Sequence, residues 1–371
     1  MSRRSSQTAV LARILSLPVP VLRLLSGGGA VHRAGRTLDP RLQFLASGAR
    51  RGRPMSAMSP EEARQASATA FALTGEAPPP GVRTESLQVP GGDGDRPARL
   101  YRPARTSPDA PILVFAHMGG GVIGDIDTTD GFCGRLAEAL QGPVLSVDYR
   151  LAPEHRFPAG YEDVLAAFRW AREAGARFGS APGRVAIGGD SMGGLFAAAL
   201  AQEMRRTGEP GPVLQLLVYP AVELAGETAS LTTFADAFPL DRATLDWFVG
   251  HYLAAGTDPA DPRLAPGRTE DLSGLPPAVI ATAGFDPLVD QGEAYARRLA
   301  AAGVPVDYRR YDSLVHGFTA FGGVFPETIA KPRLRTASTA AALIGCGTRH
   351  AHRLEPRQTE IGFETRDACK S

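Results

Sequence analysis

The chain has 371 residues, of which 43% are hydrophobic, enough for one large α/β domain or for a core with an added cap. A net charge of +1 argues against general attraction to nucleic acid or acidic surfaces. Three cysteines (Cys133, Cys346, Cys369) are too few and too scattered for a disulfide framework or a zinc site, which makes a cytoplasmic chain the default prediction.

The N-terminal stretch allows two interpretations. Two arginines, Arg3 and Arg4, precede an apolar stretch over residues 9–25, which two further arginines and two prolines interrupt. A twin-arginine export signal has this general form, but the apolar stretch is poor and no Ala-x-Ala cleavage site follows it. We therefore expect residues 1–35 to form a poorly ordered extension or an amphipathic surface segment, and the chain to stay cytoplasmic. No apolar run reaches the length of an integral membrane span.

Two short helices are predicted within residues 36–80. Asp39 precedes Pro40 and Ser59 precedes Pro60, an arrangement typical of an N-cap followed by proline at the first helical position. Both helices would lie outside any sheet, and we assign them to the N-terminal part of a helical cap.

Strands and helices alternate from residue 81 onward. A hairpin is predicted over 84–89 and 96–101, joined by a Gly-Gly-Asp-Gly turn. Apolar strands separated by helices then predict a mostly parallel sheet covered on both faces. The later strands are predicted at 111–117, 143–149, 185–187, 213–219, 277–283 and 306–311, and the helices at 129–140, 161–174, 195–204 and 291–302.

The alternation breaks at residues 225–275, which carry aromatic residues at helical spacing and no strand pattern. We interpret this stretch as an insertion that packs with the N-terminal helices as the cap, the alternative being ordinary outer helices of the sheet. The core then comprises residues 81–224 and 276–345. The polar, non-periodic tail 346–371 is expected to be frayed.

The segment Gly-Asp-Ser-Met-Gly, residues 189–193, has the G-x-S-x-G pattern of a nucleophile elbow. An apolar strand precedes it and a run of small helical residues follows it, which is the context this motif requires. Ser191 is the candidate nucleophile. Side chains in place of Gly189 and Gly193 would collide with the neighbouring strand and helix. The alternative is an ordinary strand–helix turn around a surface serine.

A serine nucleophile needs a base and an acid, which α/β-hydrolases supply later in the chain in the order acid, then histidine. Asp286 and His316 follow strands in that order, at the sheet edge where α/β proteins gather their sites. Asp290 competes with Asp286 as the acid but is better suited to capping the following helix. The other six histidines are less well placed.

The candidate oxyanion hole follows the predicted strand 111–117. Three glycines, Gly119 to Gly121, would let backbone N–H groups approach a substrate oxygen. The expected donors are Gly119 and Gly120, together with Met192, the residue after the nucleophile. A phosphate-binding loop is excluded because no G-x-x-x-x-G-K-[ST] pattern is present.

Taken together, these motifs resemble the bacterial hormone-sensitive-lipase-like carboxylesterases, an α/β-hydrolase family, from about residue 38 to about residue 345. The resemblance implies an α/β-hydrolase fold with an eight-stranded sheet and a helical cap, hydrolysis of short- to medium-chain acyl esters, and no cofactor. It also implies that the Asp-Tyr-Arg-Leu-Ala-Pro-Glu stretch is structural and braces the loops behind the site. The matching motifs lie at residues 117–125, 148–159, 189–194, 286–290 and 316–318.

Met118 stands where members of that family usually carry glycine. If the loop is shifted by one residue, Gly120 and Gly121 would be the donors instead. The flexible thioether of Met118 suits a pocket wall that narrows the leaving-group side. Many relatives have an aromatic residue where this chain has Gly121. The smaller glycine would widen the acyl side of the site. We therefore expect Met118 and Gly121 to contact substrate.

The sequence as a whole predicts a serine carboxylesterase acting on a small-molecule ester, with no metal and no nucleic-acid partner. Whether the chain forms a homodimer is left open. The same triad could act on an amide, a lactone or an acetylated small molecule. A non-catalytic binding protein on this fold is disfavoured, because plant receptors that resemble the family typically lack the triad histidine, whereas His316 is present.

Overall fold

The structure, a computed structural model, describes residues 3–324. The predicted tail 346–371 and the last part of the predicted core, residues 325–345, lie outside the described residues.

Eight strands form one sheet in the order β8-β7-β6-β5-β3-β4-β2-β1. The hairpin β1–β2 and the pair β2–β4 are antiparallel, and all other neighbouring pairs are parallel, which confirms the predicted mostly parallel sheet. The strands are β1 Val82–Pro90, β2 Asp95–Pro103, β3 Ile112–Ala116, β4 Val144–Val147, β5 Val185–Asp190, β6 Gln215–Val218, β7 Ala278–Phe285 and β8 Val306–Val315.

Helices cover both faces of this sheet, so the central strands are buried on either side. Successive residues of β3 alternate between two hydrophobic cores: Val114 packs in the core that holds Phe196, and Phe115 packs in the core that holds Phe132. The helices are α1 Arg3–Leu15, α2 Val19–Leu25, α3 Pro40–Ala49, α4 Pro60–Thr74, α5 Asp130–Leu140, α6 Ala159–Ala174, α7 Met192–Thr207, α8 Ala229–Thr233, α9 Arg242–Tyr252 and α10 Val289–Ala301.

The N-terminal segment is more regular than the sequence predicts. Residues 1–35 are expected to form a poorly ordered extension or an amphipathic surface segment; α1 and α2 occupy most of this segment, which favours the second alternative. Tertiary contacts explain the difference: Leu15 and Leu22 are each 1% exposed, and the Thr8 hydroxyl donates to the Leu73 carbonyl of α4 at 3.0 Å. A short hairpin, in which the two-residue strands His32–Arg33 and Arg36–Thr37 pair, then leads into α3.

Both predicted N-caps are present. The Asp39 side chain accepts a hydrogen bond from the Arg41 backbone N–H at 2.8 Å. Ser59 and Glu62 form a reciprocal capping box at the start of α4.

The insertion 225–275 contains α8 and α9 and contacts the segment that precedes α4. The Trp247 indole N–H of α9 donates to the Met58 carbonyl at 3.2 Å, next to the 3₁₀ turn Met55–Ala57. On its other side, α9 packs against the loop that follows β3, because Phe248 and Tyr252 lie over Gly120 and Gly121.

Candidate active site

Ser191 lies in a strained turn between β5 and α7. Its backbone angles are φ 55° and ψ −115°, a conformation that non-glycine residues adopt only when the surrounding structure enforces it. The turn is too tight for side chains at its flanking glycines: a Cβ on Gly193 would lie 1.9 Å from the Ala116 carbonyl oxygen, and one on Gly189 would lie 2.3 Å from Gly193. The predicted need for both glycines is therefore confirmed.

Ser191, His316 and Asp286 form a hydrogen-bonded row. The His316 Nε2 lies 2.9 Å from the Ser191 Oγ, and the His316 Nδ1 lies 2.8 Å from an Asp286 carboxylate oxygen. Asp286 is fully buried, and its other oxygen accepts from the Leu288 backbone N–H at 2.8 Å. This arrangement suits a neutral imidazole that donates from Nδ1 and accepts the serine proton at Nε2. Ser191 follows β5, Asp286 follows β7 and His316 follows β8, all at the same sheet edge.

Asp290, the competing acid, is engaged elsewhere. Its carboxylate accepts from the Ser230 backbone N–H at 2.8 Å. The expectation that it caps its own helix is wrong, because Asp290 is already the second residue of α10 and an N-cap lies before the first. It instead binds the first turn of α8 and so links the segment 225–275 to α10.

The candidate oxyanion loop after β3 is held in a left-handed conformation. The φ angles of Gly119, Gly120 and Gly121 are 126°, 63° and 73°. The Tyr149 hydroxyl donates to the His117 carbonyl at 2.7 Å, and the Ala152 N–H donates to the Gly121 carbonyl at 2.8 Å. Both donors belong to the Asp-Tyr-Arg-Leu-Ala-Pro-Glu stretch, which confirms that this stretch braces the loop.

The residue at each loop position meets a defined neighbour. The Met118 sulfur lies 4.0 Å from the Tyr219 hydroxyl, and the side chain is buried. A Cβ on Gly120 would lie 2.3 Å from the Phe248 ring, and one on Gly121 would lie 2.6 Å from the Tyr252 ring. The additional space expected beside Gly121 is thus filled by a cap aromatic.

Asp190, inside the elbow motif, is a buried carboxylate that the sequence reasoning did not single out. One of its oxygens accepts from the Tyr219 hydroxyl at 2.8 Å and from the Thr319 hydroxyl at 3.1 Å. The same Tyr219 hydroxyl lies 4.0 Å from the Met118 sulfur of the oxyanion loop. Burial raises the pKa of Asp190 to about 6, although these hydrogen bonds oppose the shift. Asp190 therefore connects the elbow, the oxyanion loop and the segment after His316.

His117 is excluded as the base by its surroundings. Complete burial lowers the pKa of its imidazole to about 4, so the ring stays neutral at physiological pH. Its Nδ1 lies 2.7 Å from the Met118 carbonyl oxygen, and its ring stacks on Tyr149 at a centroid distance of 4.3 Å. These contacts make His117 a structural support of the loop.

The described residues form a cleft to one side of the row. Within residues 3–324, no group of three or more His, Cys, Asp or Glu side chains has a metal-binding arrangement. A cleft of about 980 Å³ lies beside the oxyanion loop, between α4 and Gly124, Asp125 and Thr128. None of the three residues of the row lines it.

The raised pKa of Asp190 predicts a pH-dependent effect of Asp190→Asn on stability. A carboxyl whose pKa is about 6 when folded and about 3.9 when unfolded stabilises the fold below pH 3.9, and that contribution is lost as the pH rises through 6. The difference in unfolding free energy, variant minus wild type, should therefore rise by about 3 kcal/mol between pH 3.5 and pH 7.5. Urea denaturation at several pH values measures it.

The matched control is Asp109→Asn, the same change at an exposed position. For this control, the difference from wild type should stay nearly constant with pH. A pH-independent difference for Asp190→Asn as well would mean that Asp190 titrates as an ordinary carboxyl.

Comparisons with known proteins agree with the architecture. A family model described as the alpha/beta hydrolase fold matches residues 113–320. The carboxylic ester hydrolase LipN of Mycobacterium tuberculosis is 45% identical, over 81% of this chain and 82% of its own length. The ethyl acetate hydrolase of Pseudomonas putida is 36% identical, over 77% of this chain and 92% of its own.

A solved structure shows the same likeness in three dimensions. The ester hydrolase EH1AB1 from the metagenome of Lake Arreo, solved with a derivative of bipyridine phosphonate, is 38% identical with a TM-score of 0.79. The match covers 83% of this chain and 99% of that one. The chain therefore belongs to the bacterial hormone-sensitive-lipase-like carboxylesterases of the α/β-hydrolase fold and is a carboxylic ester hydrolase.

Proposed function

We propose that this enzyme hydrolyses short- to medium-chain acyl esters through a Ser191–His316–Asp286 triad and a covalent acyl-enzyme intermediate. The observation that carries the proposal is the continuous row from the Ser191 Oγ through the imidazole to Asp286, with distances of 2.9 and 2.8 Å. Because the serine is held in a strained elbow, its hydroxyl reaches the histidine without further rearrangement.

In the first half-reaction, His316 Nε2 takes the hydroxyl proton as the Ser191 Oγ attacks the ester carbonyl carbon. The carbonyl π pair moves onto oxygen and forms a tetrahedral oxyanion. The imidazolium then gives its proton to the leaving alkoxide oxygen, the carbon–oxygen bond breaks, and the acyl group remains on Ser191. Asp286 stabilises the transient imidazolium through the attraction between their opposite charges. Because both side chains are buried, solvent weakens this attraction little.

The developing oxyanion is stabilised by the backbone N–H groups of Gly119, Gly120 and Met192. Met192 is the first residue of α7, so its N–H has no partner within the helix and lies at the positive end of the helix dipole. Gly119 and Gly120 have positive φ angles, and neither of their N–H groups donates to a backbone carbonyl of the described residues. Loss of one such donor costs roughly 10²- to 10³-fold in rate.

In the second half-reaction, His316 takes a proton from water as the water oxygen attacks the acyl carbon. A second oxyanion forms in the same hole and collapses. The bond to Ser191 breaks, the serine oxygen recovers its proton from the imidazolium, and the carboxylic acid leaves. Each proton that His316 accepts is returned, so the enzyme ends the cycle unchanged.

The cap limits the size of the acyl group. Phe248 lies against Gly120 and Tyr252 lies against Gly121, close to where a bound acyl chain must begin. The buried Met118 side chain forms a second wall, between the Tyr219 hydroxyl and Gly317. Substrate contacts at Met118 and Gly121 follow from these positions. The relative from Pseudomonas putida is named for hydrolysing ethyl acetate, an ester with a short acyl chain.

Labelling with a fluorophosphonate, followed by intact-mass and peptide mapping, tests the nucleophile, and a series of p-nitrophenyl esters from acetate to palmitate tests the chain length. We expect one adduct, on Ser191, and a kcat/KM that falls at least about tenfold from butyrate to palmitate. A folded protein without an adduct on Ser191 would overturn the mechanism. A kcat/KM that rises toward palmitate would overturn the short-chain assignment alone.

A further inference from the structure

Within residues 6–324, the exposed large hydrophobic side chains lie close to the N-terminus. Across residues 6–324, every large hydrophobic side chain that is exposed lies between positions 10 and 25, with Leu24 at 76% exposure. Exposed apolar side chains gathered in one short segment of a chain often mark a site of interaction. We call this surface the N-terminal patch; its members are Val10, Leu17, Val19, Val21, Leu24 and Leu25.

The patch follows the helical periodicity of both helices. On α1, Leu15 points into the protein, whereas Val10 and Arg13 are exposed three residues apart on the outer side. On α2, Leu22 is buried, whereas Leu24 and its neighbours at 21 and 25 are exposed. One face of each helix therefore packs on the protein and the other presents apolar side chains outward.

The same segment carries only positive charge. Six arginines precede Asp39, which is the first acidic residue of the chain, although the whole chain balances 40 basic against 39 acidic residues. Arg13 is exposed, and within the described part of the chain neither Arg13 nor Arg23 forms an ion pair. An apolar surface with unpaired arginines is complementary to the acyl and headgroup layers of an anionic bilayer.

The helices are arranged to lie on a membrane rather than to cross it. No single helix within residues 3–324 is long and apolar enough to span a bilayer, and the pair formed by α1 and α2 is bent by 108°. The pair is also fastened to the protein, because Thr8 donates to the Leu73 carbonyl and the Arg41 guanidinium donates to the Leu15 carbonyl at 3.2 Å. Crossing would break these bonds.

We propose that the N-terminal patch binds the surface of an anionic phospholipid bilayer. The apolar side chains of the patch enter the boundary between headgroups and acyl chains, and the arginines bind lipid phosphates. The patch lies outside the catalytic row, so binding holds the folded esterase at the bilayer surface without the use of a catalytic residue.

Co-sedimentation of the full chain with vesicles tests the proposal. Vesicles of phosphatidylglycerol and phosphatidylcholine in equal parts are compared with vesicles of phosphatidylcholine alone. We expect binding to the anionic vesicles to be at least about tenfold tighter and to weaken in high salt. The double variant Leu24→Ser/Leu25→Ser and the single variant Arg13→Glu should each weaken it by about tenfold or more. Hydrolysis of a water-soluble ester should be unchanged in both variants.

The matched control is Arg105→Glu, the same charge reversal at an exposed arginine outside the patch. It should bind vesicles nearly as tightly as the wild type. Equal weakening by Arg105→Glu and Arg13→Glu would show general charge attraction and overturn the patch as the site. A dimer that Leu24→Ser/Leu25→Ser dissociates, without vesicle binding, would assign the patch to a second copy. Mature protein that begins after residue 25 would make the segment a removed leader and also overturn the proposal.

Discussion

Replacement of Ser191 by alanine is expected to lower kcat for ester hydrolysis by roughly 10⁴- to 10⁶-fold and to leave the fold intact. The loss is large because, in the proposed mechanism, the acyl group is carried by the Ser191 Oγ, which faces His316 Nε2 at 2.9 Å. The turn itself does not depend on that hydroxyl. The Ser191 N–H donates to the Val218 carbonyl, and the Ser191 carbonyl accepts from the Ala221 N–H. Steady-state kinetics with p-nitrophenyl acetate measure the loss of kcat, and a thermal unfolding curve shows whether the fold is intact.

Ser180→Ala is a matched control, because it removes a hydroxyl from another buried serine, located far from the site in the loop before β5. We expect its kcat to stay within about threefold of the wild type, since no triad contact is touched. An Ser191→Ala variant that retains more than about one percent of wild-type kcat would point to a different nucleophile, because triad knockouts typically retain far less.

The arrangement of the catalytic row could be predicted from sequence because each part has a local signature. The elbow around Ser191 is a five-residue pattern with an apolar strand before it and a helix after it. Asp286 and His316 then follow from chain order and from their positions immediately after strands. All three signals are short in sequence, so no knowledge of distant contacts is needed. The parallel sheet follows in the same way from the repeated apolar runs.

The surroundings of the row could not be predicted, because they depend on residues that are far apart in the chain. Asp190 and Thr319 are separated by 129 positions, and the contact of Gly121 with Tyr252 joins the loop after β3 to the cap. Neither pairing leaves a pattern in a single sequence. The burial that raises the pKa of Asp190 is likewise a property of the assembled protein.

The N-terminal helices show a second limit of local patterns. Prolines and arginines interrupt residues 9–25, so the hydrophobic periodicity is weak and a poorly ordered extension is the natural prediction. Leu15 and Leu22 nevertheless find buried positions in the folded protein, and this tertiary packing stabilises two helices that intrinsic propensity alone would not. The capped helices α3 and α4 are predictable because their start signals lie within a few residues of each other.

The assignment of Asp286 rather than Asp290 as the acid predicts unequal effects of the same substitution four residues apart. Asp286→Asn should lower kcat by about 10⁴-fold, because an amide can donate to His316 Nδ1 and favour the wrong imidazole tautomer. Asp290→Asn should leave kcat within about threefold and destabilise the fold by about 1 kcal/mol, since it weakens the charge-assisted hydrogen bond from the Ser230 N–H. Kinetics and urea denaturation of both variants separate the two roles.

Each variant is the control for the other, because the chemical change is identical and both carboxylates lie near the start of α10. A large loss of kcat in Asp290→Asn with a nearly normal Asp286→Asn would reverse the assignment. Equal losses in both would mean that α10 carries the effect through its position rather than through one carboxylate. The structure favours neither of these outcomes but a selective loss in Asp286→Asn. Of the two carboxylates, only Asp286 is within hydrogen-bond distance of the imidazole, at 2.8 Å, whereas Asp290 binds the Ser230 N–H.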